Sequence, residues 1–362
     1  MSCGKTMIAL TLAAVLAGWA AAEPAPPSPA PAAKPDPKAA QAAEAAKITV
    51  TIKSTKDGSP QKALFYVAPE AKPGGAGAAA PLLVTLHTWS NAYDQCIEYL
   101  PQAIERKWVM MAPDFRGRND RPEACGSALA IQDVLDAVAY ARGHARVDES
   151  RIYLVGVSGG GHMSLLMAAA APKTWAGVSA WVPISDLAAW HAENVAANRG
   201  YAKSIEKALG GPPGDKTAAE YRARSPIFHL AAAKGLPIDI NAGIHDGHGG
   251  AVPISHTLRA FNVLAEANGL KDRQLSADQI AFMTDKEQVP ADLAGQGAKD
   301  TERQKPVLFR RQAGPARVTI FDGGHEGEIR AALDWLARQK KGAPAAHQPH
   351  AAAPAPAAPG AP

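Results

Sequence analysis

Arg151-Ile152-Tyr153-Leu154-Val155-Gly156-Val157-Ser158-Gly159-Gly160-Gly161-His162-Met163 is the stretch on which the fold turns. Ile152 to Val155 is a short continuous apolar run, the pattern of a strand buried on both faces. After Ser158 an Ala-rich stretch with helical character continues to about Ala171. Between the two lies Gly156-Val157-Ser158-Gly159-Gly160, which has the G-x-S-x-G spacing of a sharp strand-to-helix turn with a serine at its tip. Such a turn strains the serine backbone, and positions 156 and 160 must lack side chains that would collide with strand and helix. Gly161 extends that clearance. The helix then points its N-terminus at Ser158, and the Gly159 N–H is free to bind a developing oxyanion. A Gly-Ser-Gly loop without a strand before it would carry no such meaning.

Working outward, the same alternation repeats. Ile48 to Lys53 and Ala63 to Val67 are β-rich runs that open the domain like a hairpin, and Pro81 to Leu86 and Val109 to Ala112 follow as strands. Ala128 to Ala145 carries Ile131, Val134, Leu135, Val138 and Ala141 on one helical face. Val178 to Pro183 and Pro237 to Asn241 are further strands, with a helix at Val252 to Ala267. Val318 to Phe321 is expected to close the sheet before an amphipathic helix, Glu328 to Gln339. This order predicts an α/β fold: a mainly parallel sheet flanked by helices on both faces. Asp186 to Lys234 is helical but broken at Gly210-Gly211-Pro212-Pro213, and is expected to form a small helical cap. Lys271 to Pro315 is polar with scattered helical patches and is read as an insertion.

A serine elbow on this architecture is the mark of an α/β hydrolase, which needs an acid and then a histidine later in the chain, each on a loop at a strand's C-terminal end. Asp246 follows the 237–241 strand in Ala242-Gly243-Ile244-His245-Asp246-Gly247, and His325 follows the 318–321 strand in Gly323-Gly324-His325-Glu326-Gly327. Asp239 lies inside its strand and is the weaker acid. Ser158 as nucleophile, His325 as base and Asp246 as orienting acid would perform acyl transfer without a cofactor. The second oxyanion donor beside Gly159 is expected from Leu86-His87-Thr88-Trp89-Ser90, either the His87 side chain or the Trp89 backbone N–H. Trp181 and Trp190 either line a pocket or pack the cap to the sheet, and Asp186 either anchors a substrate amine or caps a helix. His245, Asp246 and His248 have a spacing that can chelate, but no third well-separated ligand of the usual kind accompanies them, and no metal is expected.

The ends and the composition bound the rest. Residues 1–22 read as a secretory signal: Lys5, an apolar Met7 to Trp19, and Ala20-Ala21-Ala22 before Glu23. The apolar run falls short of the ~20 residues that span a bilayer, so no integral membrane span is expected once the signal is cleaved. The mature protein is expected in the periplasm or outside the cell. Residues 23–46 and 342–362 are Pro/Ala-rich and are expected to be disordered, leaving 47–341 as one catalytic domain. The net charge of +4 is small and the basic residues form no stripe, which excludes nucleic acid as a natural partner. Beyond the signal stand Cys96 and Cys125, in a compartment that permits disulfides, and they are read as either a bridge or two buried free thiols.

Four segments together resemble the catalytic domain of the prolyl oligopeptidase family of serine peptidases: Arg151 to Met163, Tyr221 to Leu230, the Asp246 loop leading to Val252-Pro253, and the Gly323-Gly324-His325 loop. The likeness runs from about Leu64 to Arg338. It implies an α/β-hydrolase fold and hydrolysis of peptides or, in stand-alone members, of carboxylic esters. The chain departs from the family in three places. A Pro/Ala stretch precedes the domain where many peptidases of the family carry a β-propeller, Gly249 and Gly250 lengthen the loop between the acid and Val252, and His87 stands where the family often has an oxyanion-binding tyrosine. A peptidase acting through an acyl-enzyme is the reading this favours, with a carboxylesterase of small or carbohydrate-linked acyl esters as the alternative. A binding module that kept the fold and lost the chemistry is the alternative of another class.

Overall fold

The structure, a computed structural model, describes Met1 and residues 44–45, 47–75 and 77–342. The expected signal, most of the linker and the tail after Gly342 fall outside the described residues.

Nine strands form one sheet: β1 (Thr49–Lys53), β2 (Pro60–Tyr66), β3 (Ala80–Leu86), β4 (Val109–Pro113), β5 (Val147–Val157), β6 (Gly177–Trp181), β7 (Ile238–Gly243), β8 (Val307–Ala313) and β9 (Ala316–Phe321). Their order across the sheet is β1-β2-β4-β3-β5-β6-β7-β9-β8. From β4 to β9 neighbours run parallel, while β1 and β2 at one end and β8 at the other are antiparallel. Every residue of β3, β4, β6, β7 and β9 is buried; β3 and β4 read as largely apolar runs, while β7 and β9 bury Asp239, Asn241, Arg317 and Thr319 among their apolar residues.

The helices between them are α1 (Leu100–Glu105), α2 (Ala128–His144), α3 (Gly159–Ala170), α4 (Leu187–Ala196), α5 (Tyr201–Leu209), α6 (Ala218–Arg224), α7 (Ser255–Ala267), α8 (Ala277–Lys286) and α9 (Ile329–Ala337). Successive strand residues point to opposite faces. Leu82 and Val84 of β3 therefore enter a core with Val134 and Val138 of α2, Leu165 of α3 and Leu264 of α7, while Leu83 meets Leu100 of α1 and Leu333 and Leu336 of α9 on the other side. The α/β-hydrolase architecture, helices on both faces of a mostly parallel sheet, is thus as the sequence pattern implies. The cap is α4, α5 and α6, seated through Leu187, Trp190, Ile205 and Tyr221 on Trp89 and Val252.

Three expectations need correction. The 271–315 segment is not wholly an insertion, because it contains β8, which pairs antiparallel with β9 and makes the true edge of the sheet. Only Phe309 and Ala313 of β8 are buried, and its sequence, Val-Leu-Phe-Arg-Arg-Gln-Ala, turns polar after three residues, too short an apolar run to mark a buried strand. The helix expected from Val252 begins at Ser255, since the Val252 N–H is committed to the Asp246 carboxylate at 3.1 Å. Finally, Cys96 and Cys125 form no disulfide. Both are free and buried, Cys96 among the residues under α1 and Cys125 under the cap, and burial pushes each thiol up to about 12.

Polar ties fasten the antiparallel end. Arg116, beyond β4, bonds Asp133 of α2 at 2.5 Å and Asp57 of the β1–β2 turn at 2.7 Å, and the Thr55 N–H donates to Asp136 of α2 at 2.7 Å. The hairpin that opens the domain is thereby pinned to the second helix.

Candidate active site

Ser158 sits between β5 and α3 at φ 58° and ψ −117°, a region L-residues seldom enter. The turn is held from both sides. The Ser158 N–H donates to the Trp181 carbonyl at 2.9 Å, and the Ser158 carbonyl accepts from the His162 N–H at 2.9 Å. A Cβ at Gly156 would lie 2.3 Å from the Gly160 carbonyl carbon, and one at Gly160 would lie 2.2 Å from the Leu86 oxygen. Neither position can carry a side chain unless the elbow opens.

The structure brings Ser158, His325 and Asp246 together. The Ser158 Oγ lies 2.8 Å from His325 Nε2, and His325 Nδ1 lies 2.7 Å from Asp246 Oδ2. The other carboxylate oxygen accepts the Gly247 N–H at 2.9 Å and the Val252 N–H at 3.1 Å. With its side chain fully buried and these donors fixed, Asp246 presents one oxygen to the imidazole. A carboxylate accepts only, so the proton of this contact sits on Nδ1 and Nε2 is left to accept from a serine hydroxyl. The two glycines that lengthen the acid loop bring it back over this pair: a Cβ at Gly250 would stand 2.1 Å from Asp246 Oδ1 and 2.7 Å from His325 Cβ.

Of the two candidates for the second donor, only the Trp89 backbone reaches the elbow. A Cβ on Gly159 would lie 2.4 Å from the Trp89 nitrogen, so the two peptide units are in direct contact. Among the described residues neither N–H donates to another protein group. His87 is corrected as a donor. Its Nδ1 lies 2.9 Å from the Thr88 oxygen and Nε2 2.8 Å from the Asp114 oxygen, with the ring stacked 4.0 Å from Phe115. Burial pulls the His87 pKa down, and both ring nitrogens are turned to backbone oxygens, one in its own loop and one beyond β4.

The pocket expectation for Trp181 and Trp190 is also corrected, because each is only 1% exposed. Trp190 donates to the Ala251 oxygen at 2.8 Å and packs against Trp89 at 4.7 Å, bracing the cap on the oxyanion stretch. Trp181 bonds the Ser179 hydroxyl at 2.9 Å and lies under the Arg303 guanidinium. Asp186 caps α4 through the Ala188 and Ala189 N–H groups. Asp239 is buried in an ion pair with Arg317 at 2.7 Å, away from His325's carboxylate partner.

His245 and His248 are not joined with Asp246 around a common point. His245 is held between Glu287 at 2.7 Å and Asp322 at 3.2 Å, His248 reaches the Thr284 oxygen at 2.7 Å, and Asp246 faces His325. Among the described residues no group of three His, Cys, Asp or Glu is placed to hold a metal ion. A 280 Å³ hollow lined by Gln61, Asp114, Arg116, Arg121 and Glu123 contains none of these groups.

Several residues around the site escaped the sequence reading. Gln95 accepts the Thr88 N–H at 2.9 Å, and the Asn119 N–H donates to the Trp89 oxygen at 2.9 Å, so these two hold the Thr88-Trp89 stretch in place beside the elbow. Arg303 was hidden in the presumed insertion. No motif or spacing signals any of them, because each acts on a neighbour brought close only by folding.

The family model described as the prolyl oligopeptidase family matches residues 105–285, half of the chain. Among solved structures the chain is similar to the uncomplexed acylaminoacyl peptidase of Pyrococcus horikoshii, at 14% identity and a TM-score of 0.51 over 80% of this chain and 39% of that one. It is also similar to an acylaminoacyl peptidase in complex with Z-Gly-Gly-Phe-chloromethyl ketone, at 16% identity and a TM-score of 0.52, covering 80% of this chain and 41% of that one. A mutant puromycin hydrolase complexed with PGG aligns at 15% identity and a TM-score of 0.50, over 79% of this chain and 37% of that one. The chain thus spans about two fifths of the length of these neighbours, and at such identities the likeness is one of fold. A comparison with curated proteins found no match.

Proposed function

The chain belongs to the prolyl oligopeptidase family and is a serine hydrolase, and from that premise we propose that it is an exported peptidase that cleaves peptide bonds through an acyl-enzyme on Ser158. The observation that carries the proposal is the unbroken contact from Ser158 Oγ through His325 to Asp246.

In this reading Ser158 Oγ attacks the scissile carbonyl while His325 Nε2 takes its proton. Asp246 holds the imidazole in the Nδ1–H tautomer and stabilises the imidazolium that forms. The carbonyl oxygen becomes an oxyanion received by the Gly159 and Trp89 N–H groups, which are already adjacent and need little reorganisation. As the tetrahedral intermediate collapses the C–N bond breaks, and His325 returns its proton to the departing amine. Water then repeats the sequence in the same geometry: His325 takes its proton, the hydroxide attacks the acyl carbon, and Ser158 leaves as the hydroxyl.

The family, and a neighbour captured with a peptidyl chloromethyl ketone, favour peptide over ester. The discriminating experiment is a parallel measurement of kcat/KM on short peptide anilides and on acyl esters of matched length. Turnover of the anilides that is lost in Ser158→Ala supports the peptidase; ester turnover with inert anilides replaces it with the carboxylesterase. Export rests on Lys5, the apolar Met7 to Trp19 run and Ala20-Ala21-Ala22. A mature N-terminus at Glu23 in protein recovered outside the cytoplasm is the expected result, and an unprocessed cytoplasmic chain would refute it. The catalytic domain is proposed as residues 47–341, within which the strands and helices named above lie.

A further inference from the structure

We propose that Arg303 is a positioning residue for the triad, its guanidinium fastening together the supports of the serine, the acid and the histidine. The inference rests on the reading of Ser158, Asp246 and His325 given above, and concerns a residue that takes no part in the proton transfers.

Arg303 stands just before β8 with its side chain 1% exposed. A buried cation persists only where its surroundings compensate the loss of water. Burial pulls the Arg303 pKa down to about 10, which leaves it charged at neutral pH. Two carboxylates flank it, Asp300 at 3.5 Å and Asp239 at 3.7 Å, but each already has a closer guanidinium, Arg310 on Asp300 and Arg317 on Asp239, both at 2.7 Å, so neutralising either does not by itself call for Arg303.

What Arg303 touches instead are the elements that carry the site. Its Nη2 donates to Asn241 Oδ1 at 2.5 Å, and Asn241 in turn donates to Asp239 at 2.9 Å. Asn241 belongs to β7, whose end leads directly into the Asp246 loop. The Arg303 Cζ lies 4.8 Å from the centre of the Trp181 ring, and Trp181 is the residue whose carbonyl holds the Ser158 N–H. The loop bearing His325 rests on the same indole: a Cβ at Gly327 would be 3.6 Å from Trp181 and 2.7 Å from Val157.

The strap that carries Arg303 binds the histidine loop at both ends. The Lys305 N–H donates to the Glu328 carboxylate at 2.8 Å, and the Pro306 oxygen accepts the Asp322 N–H at 2.9 Å. Arg303 Nη1 and the second Glu328 oxygen are both buried without a protein partner, and they carry opposite charges. The network therefore runs from Arg317 on β9 through Asp239 and Asn241 on β7 to Arg303, and from there to Trp181 at the end of β6. It crosses the strands from which the acid and base loops leave and ends beneath the serine elbow.

The test uses the full chain and two variants, Arg303→Gln and Arg303→Lys. Two readouts go beyond a structural role. One is the split between kcat and KM on a peptide anilide; the other is the low-field proton resonance of the His325–Asp246 contact, assigned by its loss in Asp246→Ala. Arg303→Gln with a cooperative melt is expected to lower kcat on the order of a hundredfold with KM nearly unchanged, and to broaden or abolish the low-field proton. Arg303→Lys keeps the charge but not the planar fork, and is expected to lose about tenfold in kcat while remaining folded. If Arg303→Gln does not fold, Arg303→Lys decides. A folded variant with an unchanged proton resonance and unchanged kcat would overturn the proposal. Absence of turnover of both the anilide and the matched acyl ester by the unmodified enzyme would refute the hydrolase reading separately, and the proton resonance would then decide the positioning role alone.

Discussion

At the residue scale the site depends on positions where a single carbon atom does not fit. Gly250 is the sharpest case, since a Cβ there would fall 2.1 Å from the carboxylate oxygen of Asp246 and 2.7 Å from His325 Cβ. Gly250→Ala should therefore push acid and base apart and lower kcat on the order of a hundredfold, with KM little changed. Steady-state kinetics beside a thermal melt check this, and an active Gly250→Ala would mean that the loop yields without moving the triad. Ser158, Asp246 and His325 could be picked out of the chain because each lies where a strand ends and glycines cluster, a pattern that order and composition reveal. The role of Gly250 could not be read that way. Its meaning lies in a close approach between residues 246, 250 and 325, and from the sequence alone the added glycines only lengthen the loop after Asp246.

At the scale of elements, the stretch after β3 shows how local identity can mislead. His87 stands at the family's tyrosine position and carries a polar ring, yet both ring nitrogens face backbone oxygens, and it is the peptide of Trp89 that lies against Gly159 at the elbow. That peptide is held from outside: Gln95 accepts both the N–H and the hydroxyl of Thr88, at 2.9 and 3.0 Å. Replacing Gln95 by Met removes both contacts while keeping the bulk. The expected outcome is a fall in kcat of roughly tenfold to a hundredfold with a cooperative melt retained, measured on the same anilide. Unchanged kcat would show that Asn119 and the cap hold Trp89 without help. The same limit on sequence reading applies to β8. β3 and β4 announce themselves as largely apolar runs, whereas β8 buries only two of its residues and hides among arginines.

At the scale of the whole molecule, buried charge couples the fold to pH. Burial by itself would raise the Asp239 pKa, but Arg317, Arg303 and Asn241 outweigh it and hold the carboxyl at about 2, below its ordinary 3.8. A carboxylate depressed in the folded state stabilises the protein above the unfolded value, and that contribution is lost as pH falls from 3.8 through about 2. The loss is on the order of 2 kcal/mol for this group. Denaturant unfolding across the acid range, with Asp239→Asn for comparison, should show a steeper decline in the parent protein than in the variant. Equal slopes would mean that Asp239 is not depressed. The mainly parallel sheet and the two helical layers follow from the alternation of strand and helix patterns that the chain displays openly. The ion network does not, because Asp239, Asn241, Arg303 and Arg317 are scattered along the chain and acquire one purpose only in the fold.

Ser158 is proposed as a nucleophile activated by His325, and labelling of the purified protein by a fluorophosphonate probe, beside Ser158→Ala, tests this at the reacting atom. Stoichiometric labelling of the parent protein and none of the variant is the expected result. Labelling that survives in Ser158→Ala, or a folded parent protein that takes no label, would contradict it.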